Sequence, residues 1–140
     1  MTTAIDTNVL VALWDSGDSL HAQARKALDE ALAHGSLVTS GVVYAELLAA
    51  PARTEAFLDT FCDETDIAVE WDLGARVWRT AGRAFQSYAA RRKKQRKEAP
   101  RRILADFLIG AHALVNGYQL LTLDAGTYRA AFPKLRLAEV

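Results

Sequence analysis

With one cysteine among 140 residues, Cys62, the chain has neither an internal disulfide framework nor a multi-cysteine metal site. Cys62 reads as a small, buried apolar residue. No apolar run approaches the roughly 20 residues needed to span a bilayer. The N-terminus also lacks the basic start and small-residue cleavage site of a signal peptide, so a cytoplasmic protein is expected. No Ser–His–Asp order and no glycine-rich phosphate loop is visible. Internal repeats and linkers are missing too, and residues 1–140 are expected to form a single domain large enough to bury a real core. The apolar fraction of 51% and charged fraction of 24% are those of an ordinary globular protein.

Net charge is also absent, but the zero conceals an asymmetry. The segment "RRKKQRKEAPRR" (91–102) holds eight Lys or Arg and one Glu, so the rest of the chain is correspondingly acidic. A block this dense is expected to be solvated and mobile, and it suits a polyanionic partner. A charged loop without a partner is the plainer reading. The candidate phosphate contacts are Arg91, Arg92, Lys93, Lys94, Arg96, Lys97, Arg101 and Arg102.

Short apolar strands alternate with helical segments along the chain. "TTAI" (2–5) reads as a first strand, and "DTNVLVALW" (6–14) as a helix that Asp6 or Thr7 caps. Apolar residues at 20, 24, 27, 28, 31 and 32 have a helical period, and Gly35 marks its end. "SLVTS" (36–40) is a second strand, after which Ser40 caps a helix stopped by Pro51. A helix over 54–62, a strand "IAVE" (67–70) and a helix from Asp72 to about Tyr88 follow. Pro100 suits the first turn of the helix in "RRILADFLIGAHALVNG" (101–117), which Gly117 closes. "QLLTL" (119–123) is a fourth strand and "LRLAEV" (135–140) a candidate fifth. This alternation predicts an α/β fold, with helices on both faces of a mostly parallel sheet of four to five strands. In such sheets ligands bind outside the carboxyl ends of the strands. Asp6, ending the first strand, and Asp124, following the fourth, would both sit on that edge.

Four carboxylates stand in unusually apolar surroundings. Asp6 is the only charged side chain in residues 1–14, and Glu46 the only one in 37–52. Asp106 and Asp124 are the only ones in 103–128, apart from the titratable His112. Ionised carboxylates are rarely buried without a partner, because desolvation costs several kcal/mol, so each needs a hydrogen bond, a cation or a solvated cleft. Asp106 falls off the apolar face of its helix, beside Gly110 and Ala113, a bald strip that a backbone or ligand can approach. Glu46 falls between Val42, Val43, Ala49 and Ala50, away from any solvent-facing stripe. Singly, Asp6 reads as a helix cap, Glu46 and Asp106 as surface charges, and Asp124 as a turn or cap residue. Together they suggest one acidic pocket. Its carboxylates would repel one another and hold protons unless a cation entered. Oxygen ligands without His or Cys favour Mg²⁺ or Mn²⁺ over zinc. Such an ion, with phosphate contacts from the basic segment, suits phosphodiester hydrolysis.

"IDTNVL", "YAEL", "ADFLIGAHAL" and "TLDAG" occur in the order and spacing of the PIN-domain nucleases, and the chain resembles most the VapC toxins of toxin–antitoxin pairs. The resemblance implies a PIN-like three-layer α/β/α fold and Mg²⁺- or Mn²⁺-dependent endoribonuclease activity. Asp6 and Asp106 would be central metal ligands, Glu46 would complete the acidic triad, and Asp124 matches a fourth, more variable acid. Asn8 and Thr122 match polar positions that support the site from behind. The resemblance also implies an RNA substrate, a homodimer and a small cognate antitoxin covering the active-site groove. The stretch before Asp106 is more basic than in a generic member, which bears on the substrate and on the antitoxin.

His112 lies about 120° around its helix from Asp106 and is expected to be non-catalytic. His21 and His34 lie on a polar helix face. Trp14, Trp71 and Trp78 are expected in the core or a dimer interface. A catalytically silent RNA-binding or regulatory module and a housekeeping RNA-processing nuclease remain alternatives. A phospho-acceptor receiver domain fits poorly, since "LVTS" ends its strand without an acceptor aspartate and no lysine follows a late strand.

Overall fold

Runs of Val, Leu, Ile and Thr too short for a stable helix form the strands, and the sheet supplies the backbone partners they lack alone. A computed structural model of the chain describes residues 1–95 and 103–138. Its strands are β1 (Thr3–Ile5), β2 (Leu37–Ser40), β3 (Ile67–Glu70) and β4 (Gln119–Leu121). All pair in parallel, in the order β3-β2-β1-β4. Thr3 stands opposite both Leu37 and Gln119, and Ile5 opposite Leu121. β1 and β2 are buried at every position, as strands covered on both faces must be. Both threonine hydroxyls are paired inside the sheet: Gln119 Nε2 donates to Thr3 Oγ1 at 2.8 Å and Thr39 Oγ1 to the Ile5 carbonyl at 3.1 Å.

Helices α1 (Thr7–Trp14), α2 (His21–His34), α3 (Gly41–Leu48) and α4 (Glu55–Thr65) connect β1 to β2 and β2 to β3. Helices α5 (Gly74–Gln95) and α6 (Leu104–Asn116) carry the chain back across the sheet to β4, and α7 (Ala125–Ala131) follows. Right-handed crossovers put the outward and return helices on opposite faces, so the expected three layers are present. The α5–α6 packing is aromatic, with Phe85 and Tyr88 at 5.1 and 5.5 Å from the Phe107 ring. Because β2 and β4 flank β1 on opposite sides, the chain leaves β1 one way and returns the other. That reversal opens a crevice beyond the carboxyl ends of β1 and β4.

Several elements differ from expectation. Among the described residues the expected fifth strand (135–140) is represented by one parallel bridge between Leu120 and Leu137, with Leu120 N–H donating to the Arg136 carbonyl at 2.9 Å; residues 139 and 140 lie outside the described residues. Helix α4 runs to Thr65, ending where Asp66 turns left-handed at φ 57°. Helix α5 continues past Tyr88 to Gln95, so residues 91–95 of the basic segment are helical rather than a loop. Ala, Arg and Lys are strong helix formers, and Arg91, Lys93 and Lys94 are exposed. Helix α7 occupies a stretch to which the sequence reading assigned no element. Cys62 is half-buried rather than buried. Trp71 and Trp78 are 63% and 53% exposed, so neither belongs to the core. Among the described residues no helix is long and apolar enough to cross a membrane.

The bald strip beside Asp106 is filled as well. A Cβ on Gly110 would stand 2.4 Å from the Phe132 ring and 3.2 Å from that of Tyr128. The missing side chain is what lets α7 close on α6. Gly110→Ala should therefore destabilise the fold by ~1–3 kcal/mol through overpacking, despite alanine's better helix propensity. Denaturant titration of the two proteins measures this.

Candidate active site

Asp6 occupies the residue between β1 and α1, where an extended backbone (φ −76°, ψ 154°) makes it the N-cap. Thr7 N–H donates to its Oδ1 at 2.7 Å, and the Thr122 hydroxyl, just beyond β4, donates to its Oδ2 at 2.8 Å. Thr122 is itself held: its Oγ1 accepts from Asp124 N–H at 3.0 Å and from Asn8 Nδ2 at 3.4 Å. Asn8 Oδ1 in turn accepts from Leu123 N–H at 3.1 Å. Asn8 and Thr122 thus lace the ends of β1 and β4 together behind the Asp6 carboxylate.

The other acids arrive from separate elements. Glu46 projects from α3, and its Oε1 accepts from the Thr7 hydroxyl at 2.6 Å. Asp106 lies in the first turn of α6, where its Oδ2 accepts from Ile103 N–H at 3.4 Å and the helix dipole favours a negative charge. Asp124 precedes α7 and accepts a hydrogen bond from the Thr127 hydroxyl, rather than from a backbone N–H of the helix. All four carboxylates line one open cleft of about 550 Å³, together with Asn8, Thr7, Asp18 and Tyr128.

No Lys or Arg side chain lines that cleft among the described residues, and the electrostatics follow. The Asp6 carboxyl, 5% exposed, is pushed from 3.8 up to about 6. Burial is the main cause and the Asp106 charge adds to it, while the hydrogen bonds from Thr122 and Thr7 and the nearby Tyr128 hydroxyl oppose it. Burial, then the charges of Asp6, Asp106 and Glu46, push the Tyr128 hydroxyl well above the usual phenol range. It is therefore a neutral donor at any ordinary pH.

The donor set is all oxygen, which suits Mg²⁺ or Mn²⁺. Among the described residues, however, no three His, Cys, Asp or Glu side chains are gathered to hold one ion. Four like charges without a cation repel one another. A hard cation keeps several waters and takes only one or two carboxylates directly; Asp6 and Asp106, near enough for the Asp106 charge to raise the Asp6 carboxyl, could be those two.

The remaining candidates lie elsewhere. Arg91, Lys93 and Lys94 are exposed on the last turns of α5, and Arg92 donates to Tyr88 Oη at 3.2 Å. Arg96, Lys97, Arg101 and Arg102 fall outside the described residues. His112 is buried on α6, where Nε2 meets Glu70 Oε1 at 2.8 Å while Tyr118 donates to Glu70 Oε2 at 2.9 Å. This polar cluster ties α6 to the end of β3 and does not line the cleft. His21 Nδ1 lies 3.0 Å from the Ala12 carbonyl, and His34 Nδ1 lies 2.6 Å from that of Glu30. Trp14 is half-buried, edge-on to Phe57 and Phe61, with the Arg53 guanidinium 4.8 Å over its ring. Sequence reasoning missed Asp18 and Tyr128 and took Thr7 only as a candidate helix cap. Reading "AGTYRAA" as a helix capped by Asp124 would have directed attention to Tyr128.

A family model described as PIN domain matches residues 3–133. No curated protein matches the chain. Among solved structures it is similar to VapBC2 from Rickettsia felis bound to a promoter DNA fragment, at 18% identity over 98% of this chain and 97% of that one, with TM-score 0.68. VapBC-1 from nontypeable Haemophilus influenzae is similar at 21% identity over 98% and 96%, with TM-score 0.66. The Mycobacterium tuberculosis toxin VapC20, described as cleaving the Sarcin-Ricin loop, is similar at 21% identity over 93% and 95%, with TM-score 0.61.

The raised Asp6 value has a stability consequence. The folded state holds the Asp6 proton more tightly than the unfolded chain, so this contribution is complete below about pH 4 and is lost as pH rises through about 6. In chelator, Asp6→Asn should be more stable than the parent at about pH 8 by on the order of 2–3 kcal/mol. The gap should close below about pH 4. Unfolding curves at the two pH values measure it.

Proposed function

Since the chain belongs to the PIN-domain family, we propose that it is a Mg²⁺- or Mn²⁺-dependent endoribonuclease and the toxin of a toxin–antitoxin pair. The observation that carries this reading is the convergence of four sequence-distant carboxylates on one cleft without a Lys or Arg in its described lining. Asp6 and Asp106 hold the ion. Bound there, it supplies Lewis-acid stabilisation of the charge that builds on the phosphoryl oxygens.

The chain's own residues do the rest. Glu46 is fixed through Oε1 by the Thr7 hydroxyl, and its Oε2 takes the proton of the attacking water. Asp124 closes the acidic rim from the start of α7. Asn8 and Thr122 keep Asp6 in register with β4. The basic end of α5 holds the RNA backbone: Tyr88, which Arg92 contacts, packs its ring on Phe107, the residue after Asp106. Arg91, Lys93, Lys94, Arg96, Lys97, Arg101 and Arg102 serve the same binding.

The similarity to VapBC assemblies supports a small antitoxin as partner, and a homodimer acting in the cytoplasm completes the proposal. The exposed Trp71 and Trp78 offer apolar surface for such contacts. On this reading residues 1–140 form one PIN domain.

Two outcomes are expected. Purified protein should cleave structured RNA only with Mg²⁺ or Mn²⁺. Asp6→Asn or Asp106→Asn should lower that rate by more than the roughly 10–100-fold typical of outer-shell changes, with circular dichroism unaltered; full activity in excess chelator contradicts the mechanism. Replacing Arg91, Lys93 and Lys94 together by Gln should weaken RNA binding for every sequence. The slope of log K against log salt should fall by about 2, at roughly 0.7 per lost contact with a single strand.

A further inference from the structure

Tyr128 brings to the cleft a hydroxyl that the proposed reaction leaves unused. The residue is 2% exposed and its ring packs on Gly110, one helical turn beyond Asp106. Tyr128 therefore stands between the helix that carries Asp106 and the Asp6 carboxylate. Its Oη is fully buried, short of a partner at standard hydrogen-bond geometry, and close enough to Asp6, in the same cleft, for the two groups to interact. A buried hydroxyl left in that state costs ~1–3 kcal/mol, whereas phenylalanine would fill the same space without the penalty. The oxygen is present where packing alone does not call for it.

A carboxylate offers about four lone-pair directions. Thr7 N–H and the Thr122 hydroxyl take one on each Asp6 oxygen. We propose that Tyr128 is a positioning residue for Asp6, donating its hydroxyl to a third direction and leaving one aimed at a divalent cation in the cleft. This inference rests on the reading of Asp6 as a metal-holding group. Thr122 has its orientation set by Asp124 and Asn8, but Tyr128 is anchored through α7 and α6. It thus couples the direction of the Asp6 lone pair to the placement of the Asp106 helix.

Mn²⁺ titrations of the full chain, followed by electron paramagnetic resonance of the free ion, test this without reference to turnover. The parent, Tyr128→Phe and Asp6→Asn are compared, with metal-free melting temperatures recorded alongside. Tyr128→Phe should bind Mn²⁺ about 10-fold more weakly, while its metal-free melting temperature is equal or higher. Parent-like Mn²⁺ affinity in Tyr128→Phe, with the parent binding and Asp6→Asn not, overturns the positioning role and leaves the nuclease reading intact. Absence of any Asp6-dependent Mn²⁺ binding in the parent overturns both.

Discussion

Holding the Asp6 carboxylate at 5% exposure sacrifices hydration worth several kcal/mol, and two short hydrogen bonds recover only part of it. Thr7 N–H and the Thr122 hydroxyl stabilise the charge, but burial and the neighbouring Asp106 outweigh them. A fold that served stability alone would put an amide or an apolar residue there. The surrounding structure is arranged so that this charge exists and faces a cleft. The strand ends, the threonines and the adjacent acids all follow from that constraint.

The parallel sheet makes the arrangement possible in a short chain. β1 lies between β2 and β4, so the reversal of direction places the end of β1 beside the end of β4. Asp6 and Thr122, 116 residues apart in sequence, become neighbours at that point. Glu46 arrives on α3 and Asp106 on α6. The carboxylates at the starts of α1 and α6 also meet the positive ends of helix dipoles, which moderate their repulsion. Asn8 and Thr122 bond to each other and to the backbone, and Thr122 also to Asp6, which keeps the crevice from drifting open.

Much of this could be read from the chain before any coordinates. The four acids stood out because each interrupts a stretch otherwise free of charge, and the strand–helix alternation put Asp6 and Asp124 on the ligand edge. The parts that escaped depend on tertiary contact. "AGTYRAA" contains Gly126 and Thr127, weak helix formers, and α7 exists because its rings close over Gly110. That glycine reads equally well as an opening or as a seat for an aromatic ring, and only the neighbouring helix decides. Thr7 read only as a candidate helix cap inside "IDTNVL", since its bond to Glu46 spans 39 residues. The length of α5 was hidden for the opposite reason: a dense run of like charge suggests a loop, yet its residues are good helix formers.

The central claim is that the buried Asp6 charge is a binding site for a divalent cation. The most direct test is a nuclear magnetic resonance titration of the Asp6 side-chain carboxyl carbon, with and without Mg²⁺. Without the ion, the midpoint should lie near 6, well above an exposed aspartate. With Mg²⁺ it should fall below the ordinary value of 3.8, because a bound cation favours the ionised form. A midpoint unmoved by Mg²⁺ would contradict the account.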